Sequence, residues 1–192
     1  MKLFKFNLFI ILLFFFSCNS KINHKISINR NNFFTHTKEI INIKKNNKAK
    51  ILFALDPECP LCKSYSKTIN ELYYKYKDSI EFYTFFPSPI YSKIKTENFI
   101  EQYKLNMHLI IDTNQILTNF LDAKVTPECF LLNKDLNIIY QGLIDDWIKE
   151  IGRKRKYINN NYLDDAINAY LNNDSISNTK TTAIGCIIEK LK

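Results

Sequence analysis

Histidine, glycine and long apolar runs are all scarce in this 192-residue chain, and each shortage excludes a class of protein. Three glycines, with 46% apolar and 24% charged residues, leave no room for collagen-like repeats or wholesale disorder. The longest apolar run, Leu8 to Phe16, has nine residues against the ~20 that a membrane-spanning helix needs, which excludes a multi-pass membrane protein. The three histidines, His24, His36 and His108, fall at no zinc-finger spacing, and no segment repeats. Charge of one sign is not abundant either: 27 basic against 19 acidic residues give +8. That excess is spread among Asn, Ile and Lys rather than interleaved with aromatics, so it describes a solvated exterior and no nucleic-acid partner. The length suits one compact domain. Five cysteines, Cys18, Cys59, Cys62, Cys129 and Cys186, are therefore the informative residues.

Lys2 and Lys5 precede the apolar run and Ser17-Cys18 follows it, the pattern of a secretory leader over residues 1–17. Without it, 25 basic and 19 acidic side chains remain, a net +6. A small residue followed by cysteine resembles the point where a bacterial lipoprotein signal is cut and the new terminal thiol takes lipid. Cys18 is thus expected to anchor the protein to a membrane of the cell envelope, although Phe15 and Phe16 stand where a branched aliphatic and a smaller residue are usual. The alternative is a plain secretory cut nearby that leaves Cys18 an incidental thiol. Either route exports the chain to a compartment where disulfides persist.

Residues 18–32 are polar and aperiodic and are expected to form a flexible tether. From Phe33 to residue 174, strand-length apolar bursts alternate with helical stripes. Ile51 to Leu55 is a continuous apolar run, expected as a strand buried on both faces. Tyr65, Ile69, Leu72, Tyr73 and Tyr76 form the stripe of a helix. Ile80 to Phe86 reads as a strand closed by Pro87-Ser88-Pro89. Glu97 to Tyr103 is expected as a helix, Leu109 to Ile111 as a strand, and Gln115 to Leu121 as a helix. Phe130 to Leu132 and Ile138 to Tyr140 flank a hairpin-length loop, and a helix follows from about Asn161 to Leu171. The order predicts an α/β fold with a mixed central sheet and helices on both faces. Arg153 to Lys156 is read as a solvated loop rather than an anion or lipid-headgroup site. The tail, 175–192, is polar until Ala183 to Ile188, whose apolar patch around Gly185-Cys186 is expected to pack back on the body.

Cys59-Pro60-Leu61-Cys62 lies between the buried strand and the striped helix. Cys59 is expected at the helix N-terminus, where unpaired amides and the positive end of the dipole favour thiolate, the attacking species. Its sulfur is expected to meet solvent there. Pro60 suits the first helical turn, and Cys62, one turn on, can close a disulfide with Cys59. This pairing makes Cys59 the nucleophile and Cys62 the resolving thiol. Zinc would need four ligands, and covalent haem a histidine where Lys63 stands. Copper carriage, as in cytochrome-oxidase assembly proteins of the same fold, uses a wider cysteine spacing plus a histidine, for which only His108 could serve. A static disulfide is the remaining alternative.

With that pair, Thr126-Pro127-Glu128-Cys129-Phe130-Leu131-Leu132, Tyr140 to Asp146, Tyr162 to Ala166 and Thr181 to Ile187 complete a pattern. It resembles a thioredoxin-like redoxin, most similar to the exported alkyl hydroperoxide reductase and thiol-specific antioxidant branch. The resemblance spans about Phe33 to Ile188. It implies a thiol-disulfide oxidoreductase with no metal or other cofactor, using Cys59 and Cys62. Thiol- or disulfide-bearing envelope proteins would be its clients and a separate reductant its source of electrons. It further implies a cis Pro127 facing the cysteines, so that Pro60, Leu61, Thr126 and Pro127 touch the substrate and the Thr126 backbone pairs with it like a strand. By the same resemblance Cys186 would be a terminal thiol that folds back toward Cys59 or Cys62 as an additional resolving group; the alternative is a packing residue of the docked tail. Two departures matter. Asp56 and Leu52 stand where peroxide-reducing relatives have threonine and proline, which counts against the alternative of a peroxidase. Phe53 stands where a buried acid would help move the resolving thiol's proton. Asp56 and Glu58 are expected to oppose the thiolate by like charge. Cys129 is expected to be a small buried hydrophobe.

Overall fold

The computed structural model describes residues 35–36, 39–40, 43, 46–88 and 90–191; the leader, Cys18 and the tether 18–32 lie outside them. After a short antiparallel pair, β1 (Thr35–His36) and β2 (Glu39–Ile40), the chain enters β3 (Ala49–Ala54), which is buried at all six positions. α1 (Pro60–Tyr76) returns the chain to β4 (Ile80–Phe86), and α2 (Lys93–Gln102) returns it to β5 (His108–Ile111). Both β3–β4 and β4–β5 are parallel, as helical crossovers require. α3 (Ile116–Leu121) leads to the two-residue strand β6 (Val125–Thr126). Past Pro127, β7 (Glu128–Leu132) runs antiparallel beside β3, and β8 (Ile138–Gly142) pairs antiparallel with β7. The sheet order is β5-β4-β3-β7-β8. β9 (Ile148–Glu150) and β10 (Arg153–Lys154) form a hairpin, α4 (Tyr162–Leu171) follows, and β11 (Cys186–Ile187) pairs antiparallel with β6.

Alternation along the central strands sorts the core into two layers. Ile51, Phe53, Phe82, Cys129 and Leu131 face α1 and α4, whereas Leu52, Ala54, Phe85 and Phe130 face Leu117 and Leu121 of α3. Each large side chain withdrawn from water contributes about 1.5–3 kcal/mol, so β3, apolar on both faces, anchors both layers. Lys50 is the exception on that strand. Its buried ammonium donates to Asn46 Oδ1 and to the Lys48 carbonyl, both at 2.6 Å, and lies 3.2 Å from Glu81.

Two expectations needed correction. The helix expected from Glu97 begins at Lys93, because Ser92 Oγ accepts the Lys95 amide at 3.3 Å and caps an otherwise polar first turn. Arg153 and Lys154, read as loop, form β10: Gly152, at φ +82°, makes the tight turn from β9. Their side chains are nonetheless exposed.

Candidate active site at Cys59 and Cys62

The end of β3 and the start of α1 meet at Asp56 to Cys62. An Asx-type turn sets the junction: Asp56 Oδ1 accepts the Glu58 amide at 2.7 Å, and the Asp56 carbonyl accepts the Cys59 amide at 3.2 Å. Cys59 is the N-cap residue, in extended conformation, and Pro60 begins the helix with no amide to satisfy. Cys62 lies one turn along, buried, its sulfur accepting the Asp56 amide at 3.4 Å.

The two thiols are driven apart in acidity. Cys59 is lowered to about 5, first by a hydrogen bond from the Cys62 thiol, opposed by desolvation, and further by the Cys186 thiol and the amides of Cys62 and Leu61. Cys62 is pushed well up, first by burial and then by its contact with Cys59. The helix amides thus help, but the neighbouring sulfur contributes most. The expected like-charge opposition is muted, because Glu58 is exposed and ion-paired with Lys95. Asp56 Oδ1 is occupied by the Glu58 amide.

The surroundings of Cys59 overturn the expectation that its sulfur meets solvent: the residue is 2% exposed. The cover is the chain's own tail. β11 lies along β6 with Cys186 opposite Thr126 and Ile187 opposite Val125, and the Cys186 sulfur is 2.6 Å from that of Cys59. The Cys59 thiol also reaches the Thr126 carbonyl at 3.2 Å. The Thr126–Pro127 peptide is cis. Of the four positions expected to touch substrate, Pro60 is exposed, Thr126 is buried against β11, and Pro127 is buried. Leu61 is a correction: it turns into the core on α1 and is 8% exposed, because the helix presents this position to the sheet.

Cys129 is buried on β7 opposite Phe53, donating to the carbonyls of Gly142 at 3.3 Å and Leu143 at 3.4 Å, as expected of a packing thiol. Behind α1, Tyr65 donates to buried Asp145 at 2.7 Å, and burial raises the Asp145 carboxyl above its ordinary range. His108 stacks beside Tyr83 at the start of β5, and among the described residues no group of three or more His, Cys, Asp or Glu is placed to hold a metal ion. That arrangement lends copper carriage no support.

A feature the sequence did not mark is a cleft of about 180 Å³ beside Cys59, lined by Asp56, Pro87, Tyr91, Thr126 and Ile187 among others. Ile90, 76% exposed, and Ile187, 83% exposed, stand on its rim. The sequence marked a break after β4, but not that Pro87 and Ser88 line the site. No helix among the described residues is long and apolar enough to cross a membrane.

The chain matches no protein-family model and no curated protein sequence. In structure it is similar to a hypothetical protein of Sinorhizobium meliloti, with 18% identity and a TM-score of 0.67 over 77% of this chain and 82% of that one. A candidate thioredoxin of Neisseria meningitidis aligns with 17% identity and a TM-score of 0.53 over 67% and 77%. A thioredoxin-like protein in its oxidised form aligns with 16% identity and a TM-score of 0.52 over 74% and 88%. The fold is thioredoxin-like: a mixed five-stranded sheet flanked by helices.

Proposed function

We propose that this thioredoxin-fold chain is a thiol-disulfide oxidoreductase that works at the cell envelope through Cys59 and Cys62. The observation that carries the reading is the placement of the two sulfurs, Cys59 capping the N-terminus of α1 and Cys62 buried one turn on, a geometry that lowers the first thiol to about 5 and holds the second protonated. At neutral pH this supplies one attacking thiolate and one thiol in reserve.

In the reductive direction the Cys59 thiolate attacks one sulfur of a client disulfide, and the client's other sulfur leaves as thiolate and takes a proton from water. Cys62 then gives up its proton and attacks the Cys59 sulfur, expelling the second client thiolate. The client gains two electrons, and Cys59 and Cys62 are left as a disulfide that a separate dithiol must reduce. With Phe53 in the sheet behind the site, the Cys62 proton passes to the departing client sulfur or to water.

The leader supports export, and lipid on Cys18 would hold the body beside membrane clients and an envelope reductant. Capture of a stalled intermediate tests the proposal. A Cys62→Ser/Cys186→Ser double variant, which leaves no thiol close to Cys59, should accumulate adducts on Cys59 when incubated with disulfide-bearing envelope proteins. Failure to form any adduct, with Cys59 inert to oxidised glutathione, would refute it.

A further inference from the structure

We infer that the C-terminal segment is a tethered substrate strand, and that its Cys186 is a third exchanging thiol which bonds to Cys59 and closes the site until Cys62 displaces it. This deepens, and rests on, the exchange chemistry proposed above. The tail is held by a series of specific contacts rather than one. The Gln141 amide donates to the Thr179 carbonyl and the Thr181 amide to the Gln141 carbonyl, at 3.1 and 3.0 Å. Leu143 donates to Thr181 Oγ1 at 2.8 Å, and Ile188 donates to the Lys124 carbonyl at 2.9 Å. Gln115 clasps the end, donating to the Glu189 carbonyl and accepting the Leu191 amide at 2.8 Å.

Between these points β11 occupies the backbone edge at Val125–Thr126, the edge an extended client strand would use. Close approach there depends on Gly185. A Cβ at that position would lie 2.2 Å from the Thr126 carbonyl oxygen, so a residue with a side chain has to shift the strand. The same contact predicts the class of substrate that fits: an extended strand whose reactive cysteine follows a glycine.

The chemistry balances with a low-molecular-weight disulfide as oxidant. The Cys59 thiolate attacks it and releases one small thiol. Cys186 loses its proton to water, attacks the Cys59 sulfur and releases the second small thiol, so two protein thiols become one disulfide. Closing the 2.6 Å gap to a bonded distance of about 2.05 Å needs a small movement. The Cys186 thiol is raised to about 12, first by burial and then by its hydrogen bond to, and the charge of, Cys59. Those last two effects vanish once the Cys59 sulfur is bonded, which eases deprotonation of Cys186 although burial still opposes it. Cys62 then attacks Cys59, restores Cys186 to a thiol and leaves the Cys59–Cys62 disulfide, with no further change in electrons.

The test exposes reduced full-length protein to micromolar oxidised glutathione, quenches it in acid, alkylates it and maps the disulfides. In Cys62→Ser the Cys59–Cys186 disulfide should dominate over the Cys59–glutathione adduct by about a hundredfold or more, since a tethered thiol acts at an effective concentration of the order of millimolar. Adding Gly185→Val should reverse that ratio. On its own, Gly185→Val should raise the rate at which a cysteine-containing peptide disulfide reacts with Cys59 by about tenfold or more, because the edge is opened to a competing strand. A persistent Cys59–glutathione adduct in Cys62→Ser, with Cys186 free, would overturn this inference and leave the exchange chemistry standing. Unchanged ratios or rates with Gly185→Val would equally overturn it. Absence of any disulfide or adduct at Cys59 in every variant would overturn both.

Discussion

Replacing Cys62 by alanine removes the largest influence on Cys59 without touching Cys59, the helix cap or the tail. A hydrogen bond to a charged group contributes about 1.5–3 kcal/mol, and one pKa unit corresponds to about 1.36 kcal/mol. The Cys59 midpoint should therefore rise by about one to two units from its starting value of about 5. Cys186→Ala should raise it less, because the Cys186 hydrogen bond ranks below that of Cys62. The thiolate's ultraviolet absorbance, followed through a pH titration of the reduced protein, is the suitable assay; alkylation rates would also report how often the tail uncovers Cys59. Linkage gives a second readout with a definite sign. A thiol whose folded pKa lies below its unfolded value of about 8.5 contributes stability that is complete above about 8.5 and is lost as pH falls to about 5. The reduced wild type should lose stability across that window more steeply than Cys59→Ser does. A wild-type midpoint near 8.5, or one that Cys62→Ala leaves in place, would refute the reasoning.

Three further expectations follow from single contacts. Tyr65→Phe deprives buried Asp145 of a donor and should lower stability by about 1–3 kcal/mol in urea unfolding, with no change at all counting against that contact. Lys50→Met should be tolerated within about 1 kcal/mol, whereas Glu81→Ala, which leaves the buried ammonium with fewer partners, should cost about 1–3 kcal/mol. The opposite ranking in thermal melts would contradict the burial of Lys50. Reduced protein should consume hydroperoxide no faster than an ordinary thiol control, since Asp56 stands where an orienting hydroxyl would be needed; a fast rate abolished by Cys59→Ser would establish a peroxidase instead.

Much of the frame was legible because its signals are local and periodic. The strand over Ile80–Phe86 has the bounds its aromatic and β-branched run implied, and the five-residue apolar run at Ile51 marks the strand that both core layers share. The junction at Cys59 was legible because Pro60 and the two-residue cysteine spacing constrain a helix start directly. What escaped notice is non-local. The pairing of β6 with β11 joins two-residue strands about sixty residues apart, too short to carry any period. Cys59 was therefore expected in solvent: the Gly185-Cys186 patch was expected to pack back on the body and the resemblance implied a terminal thiol turned toward Cys59 or Cys62, but the register that seals the Cys59 sulfur is set by the fold. Leu61 was misplaced for a related reason: its position in the sequence lies between the two cysteines, but the helix rotates it inward.

The central claim is that Cys59 and Cys62 form one exchanging pair. Equilibrating the protein across a series of reduced and oxidised glutathione ratios, followed by acid quench and cysteine-by-cysteine mass spectrometry, measures this directly. A single two-electron transition is expected, in which a Cys59–Cys62 disulfide replaces both thiols while Cys129 stays reduced throughout. Cys59 and Cys62 remaining as thiols at every ratio, or Cys62 pairing with any other sulfur, would contradict it.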